Sequence, residues 1–303
     1  MKISKYLFIF SILLVVFCSV ACNNEKKNIG EKKVKVSASI IPIADFVRQI
    51  GGDYVEVNIV IPPGANPHVF EPSPEQLVNF SDSDIFVFVG SGFEFWKDKF
   101  ISSSGKKEMI LVELSKDEEL LDEHEHKEHE HEEHNHVKNP HIWVSPEKSL
   151  KFIPIIEKSL SEIDSKHASE YKKNAEIFKE KILKLDKECK EKIANFKNKK
   201  FLSQHASWSY FAKDYGLEEV GNIEKFPGRE ATPAEIEELI KTAKSYQVNV
   251  IFTDAQFSEK AAKAVAESGN LKIVPLDILG NTNNISYIDM MNDNLEKISE
   301  AMK

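Results

Sequence analysis

Seven of the ten histidines in this 303-residue chain fall within residues 122–146. They are of two kinds. His124, His126, His129, His131, His134 and His136 lie in a glutamate-laced tract, and ten Asp and Glu residues stand between Asp117 and Glu133. Imidazoles neutral near pH 7, in a field of carboxylates that concentrates cations, offer weak auxiliary metal sites. Such a tract cannot bury a core, so residues 120–138 read as a loop. His141 belongs to a different setting, the apolar run Asn139-Pro140-His141-Ile142-Trp143. His68 closes a turn-rich stretch, Pro62-Pro63-Gly64-Ala65-Asn66-Pro67-His68, just past a predicted strand. His205 follows the predicted strand 200–204, and Asp277 ends another, 271–277. In parallel α/β sheets, ligands bind at the carboxyl ends of strands. Three imidazoles and a carboxylate arriving there would form a four-coordinate site that suits Zn²⁺. By spacing alone, each of these histidines reads more readily as an ordinary surface residue. His167, between Lys166 and Ala168, reads as solvated.

The elements that must position these groups alternate strand and helix. Residues 34–40, 54–61, 85–90 and 109–114 read as strands, with helices at 43–50, after Ser73-Pro74, over 92–103 and from Pro146 to Ile163. The second half repeats the rhythm with strands at 200–204, 218–223, 248–253 and 271–277 and a last helix over 285–302. Such alternation predicts parallel sheets. Thr232 followed by Glu235 is a capping-box pattern that starts a helix. Between the halves, Tyr171, Ala175, Phe178, Ile182, Leu185, Cys189, Ile193 and Phe196 recur every three or four residues. This is one apolar stripe on a single long helix over 166–197, with no Pro or Gly to interrupt it. A rigid brace between two lobes is the expectation, and a coiled-coil dimer its rival.

Charged residues at 29% and apolar ones at 41% place the chain among soluble globular proteins. The net charge is −9, with no basic stripe interleaved with aromatics, which argues against nucleic-acid binding. Lys2 and Lys5 precede an apolar stretch, residues 7–21, too short for a comfortable membrane span. It reads as an export signal over 1–21, ended by Cys22, with a polar tether over 22–33. Three cysteines, only Cys189 beyond the signal, exclude an internal disulfide or a Cys-based zinc site in the mature body. The remaining organisation is an N-terminal lobe over 34–165, an inter-lobe helix over 166–198 and a C-terminal lobe over 199–303.

Longer motifs surround the same residues. The segments from Pro62 through His68 to Pro74, from Asn139 through His141 to Pro146, and Gln204-His205-Ala206-Ser207-Trp208 resemble the metal-ligand motifs of bacterial zinc/manganese ABC-importer solute-binding proteins. Gly228 to Pro233, Ala255 to Ser258, Pro275 to Gly280 and the closing helix from Tyr287 resemble their C-terminal lobe. The resemblance covers nearly all of residues 34–302 in order. It implies two lobes, each a four-stranded parallel sheet flanked by helices, joined by one long helix, with metal held between them. It further implies His68 and His141 as ligands from the first lobe, His205 and Asp277 from the second, with Glu71 or water as alternatives for the fourth place. The tract resembles the His-rich loop of zinc-specific members, and Cys22 resembles a bacterial lipidation site.

The expected protein is therefore a monomeric, lipid-anchored, extracytoplasmic carrier that captures Zn²⁺ and passes it to the membrane permease of an ABC importer. Manganese members carry a carboxylate where this chain has His205, and imidazole there suits zinc better. A manganese carrier and a surface adhesin are the alternatives. A zinc enzyme is a third, disfavoured because no HExxH or comparable pairing occurs.

Overall fold

The computed structural model describes residues 32–106, 108–122, 138–226, 228–281 and 286–303. The six tract histidines and Cys22 lie outside the described residues. Among the described residues, eight strands form two sheets. The first holds β1 (Val34–Ala38), β2 (Val55–Ile59), β3 (Ile85–Phe88) and β4 (Ile110–Glu113) in the order β2-β1-β3-β4. The second holds β5 (Lys200–Ser203), β6 (Glu218–Asn222), β7 (Val250–Asp254) and β8 (Lys272–Leu276) in the order β6-β5-β7-β8. All pairings are parallel, and the two orders are one permutation used twice. Each sheet therefore reverses its direction of winding between its first and third strands, which opens a crevice at their carboxyl ends.

The first sheet is served by α1 (Ile41–Gly51), α2 (Pro74–Ser81), α3 (Lys97–Ser104), α4 (Pro146–Ser149) and α5 (Phe152–Ile163). In α1, Ile43, Phe46, Val47 and Ile50 are buried, the three-and-four spacing of a helix with one apolar face. Capping boxes start α2 at Ser73 with Gln76, and α8 (Pro233–Ser245) at Thr232 with Glu235, each with proline in the first turn. The single helix expected from Pro146 to Ile163 is broken at Leu150. Pro154 has no N–H to donate four residues back, and its ring crowds that carbonyl. The helix expected over 92–103 begins only at Lys97: Gly90, Ser91 and Gly92 have positive φ, which a right-handed helix cannot use, and the chain continues as turn through residue 96.

The brace is α6 (Ala168–Ala194), 27 residues long, or about 40 Å at ~1.5 Å per residue. Its expected stripe is its buried face: all eight residues from Tyr171 to Phe196 are less than a tenth exposed. It packs on α1, α4 and α5, on α7 (Ser209–Tyr215), and on the final helix α10 (Tyr287–Met302). His167 is not solvated. Its ring stacks on Tyr54 at 3.9 Å and its Nδ1 lies 2.6 Å from Asp164.

One hydrophobic core runs through both sheets. Phe201, Val250, Phe252 and Leu276 join it from the second sheet, together with the α6 stripe and α10. Their strand neighbours Leu202 and Ile251 point the other way, into a smaller cluster with Leu239, Ala243, Ala262 and Val265 under α8 and α9 (Lys260–Gly269). Alternation along a strand thus divides the second sheet between a shared core and a private one. Polar bonds tie the same seam. Trp143 Nε1 donates to Ile278 O at 2.6 Å, Tyr287 N to Asp45 at 2.8 Å, and Tyr287 Oη to Trp143 O at 2.9 Å.

Candidate metal centre

His68 and His141 are presented by the same local device. In Asn66-Pro67-His68 the Asn66 side-chain Oδ1 accepts from His68 N at 3.0 Å; in Asn139-Pro140-His141 the Asn139 Oδ1 accepts from His141 N at 3.0 Å. An Asn side chain that replaces a turn's backbone acceptor fixes the next-but-one residue, and proline between them stiffens the turn. Asn139 also faces His141 Nδ1 at 2.9 Å, while its amide donates to Ala206 O. That contact places the proton of a neutral His141 on Nδ1 and leaves the Nε2 lone pair free. His205 is the first residue past the Gln204 amide that continues β5 beside β7. Its Nδ1 lies 3.0 Å from Asp254 Oδ2, at the end of β7.

The three Nε2 atoms converge. His68 and His141 are 3.3 Å apart, His141 and His205 3.2 Å, and the three form a group whose ligating atoms all lie within 4.8 Å. Tetrahedral ligation at Zn–N ~2.0–2.1 Å needs nitrogens about 3.3 Å apart. Among the described residues this is the one such group of His, Cys, Asp and Glu. Burial pushes the His68 imidazolium down to about 3, with His205 adding to it. His141 is held well below the usual range by burial and by both neighbouring histidines. Both are therefore neutral at pH 7, as a metal ligand must be. Asp254 Oδ1 is buried with no hydrogen-bond partner. An uncompensated carboxylate oxygen in such a place is costly unless a cation lies close. Neutral nitrogens in front and a carboxylate behind fit a divalent zinc ion.

Asp277 follows β8 as expected, and its carboxylate is not among the groups whose ligating atoms lie within 4.8 Å of one another. Its Oδ1 accepts from Leu279 N at 3.0 Å and Gly280 N at 2.8 Å, and its Oδ2 from Asn281 at 3.3 Å. A carboxylate that caps its own turn is occupied by backbone donors. Glu71 is exposed and also outside the group. The acidic residue that sequence reasoning missed is Asp254. Its signal was available: a carboxylate closing the wholly buried strand Val-Ile-Phe-Thr-Asp. Two aromatic neighbours were missed as well. Phe93 lies 5.8 Å from His68 and 6.1 Å from His141, and Phe257 lies 4.7 Å from His205 and 6.3 Å from His68, between ring centroids.

Residues 36–301 match the family model described as ZnuA, zinc-uptake complex component A, periplasmic. The chain belongs to that family. It is 31% identical over 307 residues to the zinc-binding lipoprotein AdcA of Streptococcus pneumoniae, covering 96% of this chain and 60% of that protein. The chain thus spans about 60% of the length of these streptococcal relatives. It is 30% identical over 300 residues to the high-affinity zinc uptake system protein ZnuA of Bacillus subtilis, covering 96% of this chain and 94% of the other. A crystal structure of ZnuA superposes with a TM-score of 0.81 at 29% identity, over 90% of this chain and all of that one. The two-sheet architecture with its long helix is the architecture this family-wide likeness supports.

Proposed function

We propose that this chain is the extracytoplasmic solute-binding protein of an ABC importer, a receptor and not an enzyme, whose cargo is Zn²⁺. The observation that supports it above all is the convergence of the Nε2 atoms of His68, His141 and His205, with two of the three pairs at 3.3 and 3.2 Å. His68, His141 and His205 bind the ion. Asn139 holds the His141 ring with its Nε2 inward, and the Asp254 carboxylate lies 3.0 Å behind His205 Nδ1. The names of the relatives, zinc-binding and zinc-uptake, agree with a donor set of imidazole nitrogen, which suits zinc better than manganese. The partner is the importer's membrane permease. Cys22 serves as a lipid anchor, and His124, His126, His129, His131, His134 and His136 collect metal. Because one core runs through both sheets, release on docking proceeds by local movement of the ligand loops and not by a wide hinge.

Calorimetric titration tests this. Protein without residues 120–137 takes up one Zn²⁺ tightly, and His205→Ala weakens that binding by a factor of about a hundred or more. Unchanged affinity in the His205→Ala protein sinks the assignment.

A further inference from the structure

Phenyl rings stand beside two edges of the histidine triangle. Phe257 flanks the edge from His205 to His68, with ring centroids 4.7 and 6.3 Å away. Phe93 flanks the edge from His68 to His141, at 5.8 and 6.1 Å. The third edge, between His141 and His205, is backed by Asn139, which reaches both His141 Nδ1 and Ala206 O.

Phe93 is buried in the main core, so packing accounts for it. Phe257 belongs to neither hydrophobic cluster and is only partly buried. Its place is set by a turn in which Phe257 N donates to Asp254 O at 3.1 Å. The same Asp254 carries the carboxylate beside His205 Nδ1. One turn at the end of β7 thus delivers both the group that orients a ligand and the ring that stands over it. The fold has no evident need of a large aromatic side chain there.

The need lies in the number of ligands. Three imidazoles on one face of an ion leave one further position in a tetrahedron, on the axis through the triangle. In an octahedron they leave three, and each lies opposite one imidazole, entered past the edge joining the other two. The position opposite His141 is entered past the edge that Phe257 flanks, and the position opposite His205 past the edge that Phe93 flanks. A water held there by a six-coordinate ion would meet an apolar ring that cannot replace its lost hydrogen bonds. Zinc is satisfied with four ligands, whereas Mn²⁺ favours six and keeps oxygen ligands.

Resting on the zinc-carrier reading, we infer that Phe257 is a specificity-determining residue: its ring closes the coordination position opposite His141, holds the bound ion at four ligands, and so disfavours Mn²⁺ against Zn²⁺.

The test compares wild type with Phe257→Ala, Phe257→Val and Phe257→Leu, each checked for an unchanged circular-dichroism melt. Zn²⁺ and Mn²⁺ affinities are measured separately, and Co²⁺ is used as a spectroscopic probe of ligand number. Wild type and Phe257→Leu give the intense visible bands of four-coordinate Co²⁺. Phe257→Ala gives weakened bands of higher coordination, and its ratio of Zn²⁺ to Mn²⁺ affinity falls about tenfold; Phe257→Val moves the same way by less. Four-coordinate Co²⁺ in the Ala and Val proteins with an unchanged affinity ratio overturns the role of Phe257 and leaves the carrier reading standing. Wild-type Co²⁺ already six-coordinate overturns it too. A wild-type protein that binds no Zn²⁺ at the three histidines overturns the carrier reading, and this inference with it.

Discussion

At the scale of single residues, the centre depends on which nitrogen of each ring carries the proton. His141 has its proton directed to Asn139, and His205 has its Nδ1 beside Asp254. Asp254 adds what Asn139 cannot, a buried negative charge behind the ligand. Replacing such an outer partner lowers metal affinity ~10–100-fold. Asp254→Asn keeps the shape and removes the charge, so zinc affinity falls within that range while the fold is retained; competition against a chromophoric chelator measures it. An affinity equal to wild type shows that the carboxylate contributes no charge to the site. Asp277→Asn, by contrast, disturbs a turn held by Leu279 N and Gly280 N and has the smaller effect on zinc.

At the scale of elements, the turn after β3 is the least ordinary piece of backbone. Gly90, Ser91 and Gly92 have φ of 90°, 53° and 82°, and serine there has no glycine-like freedom. The Glu94 carboxylate holds this turn by accepting from Val89 N at 3.0 Å and Gly90 N at 2.9 Å. It thereby sets Phe93 against His68 and His141. Burial pushes the Glu94 carboxyl from 4.5 up to about 7. The sign follows from linkage. Between these values the unfolded chain has released the proton and the folded chain keeps it, so folding is favoured at the acidic end and loses stability as pH rises through about 7. A single group contributes at most about 1.4 kcal/mol per pH unit. Urea unfolding of metal-free wild type and Glu94→Gln at pH 5 and pH 8 isolates it: the variant lacks that part of the decline. Parallel pH profiles for the two proteins contradict the assignment.

At the scale of the molecule, the shared core decides behaviour. The α6 stripe, α10, both faces of the first sheet and one face of the second belong to a single buried cluster, so neither sheet can lose its packing without the other. The metal-free protein unfolds in one calorimetric transition, with equal calorimetric and van't Hoff enthalpies. Two separated transitions show that the sheets are independent. Zinc moves that transition upward, by about 4 kcal/mol at a free concentration of ~1,000 times Kd. On the zinc-carrier reading, the same continuity favours release by local loop movement, since a core packed through the brace resists wide opening.

Much of this was legible along the chain because it is written in short-range patterns. The stripe from Tyr171 to Phe196 repeats at helical spacing, so the brace and its buried face could be read directly. The starts at Ser73-Pro74 and Thr232-Pro233 are capping patterns that close within four residues. Asn-Pro-His occurs twice and fixes two of the clustered histidines through contacts two residues apart. The meeting of the ligands is another matter. His68 and His141 are 73 residues apart and His141 and His205 are 64 apart, so only sheet order and core packing bring their Nε2 atoms together. The choice of carboxylate was also tertiary. Asp254 and Asp277 both end strands of the second sheet, but β7 adjoins β5 and β8 does not. The strand beside His205 therefore supplies the acid at its back, and the outer one spends its carboxylate on its own turn. Local rules of helix, cap and turn act within a few residues and survive in any context. Which strand lies next to which is settled by burial of a common core, and no local spacing encodes it.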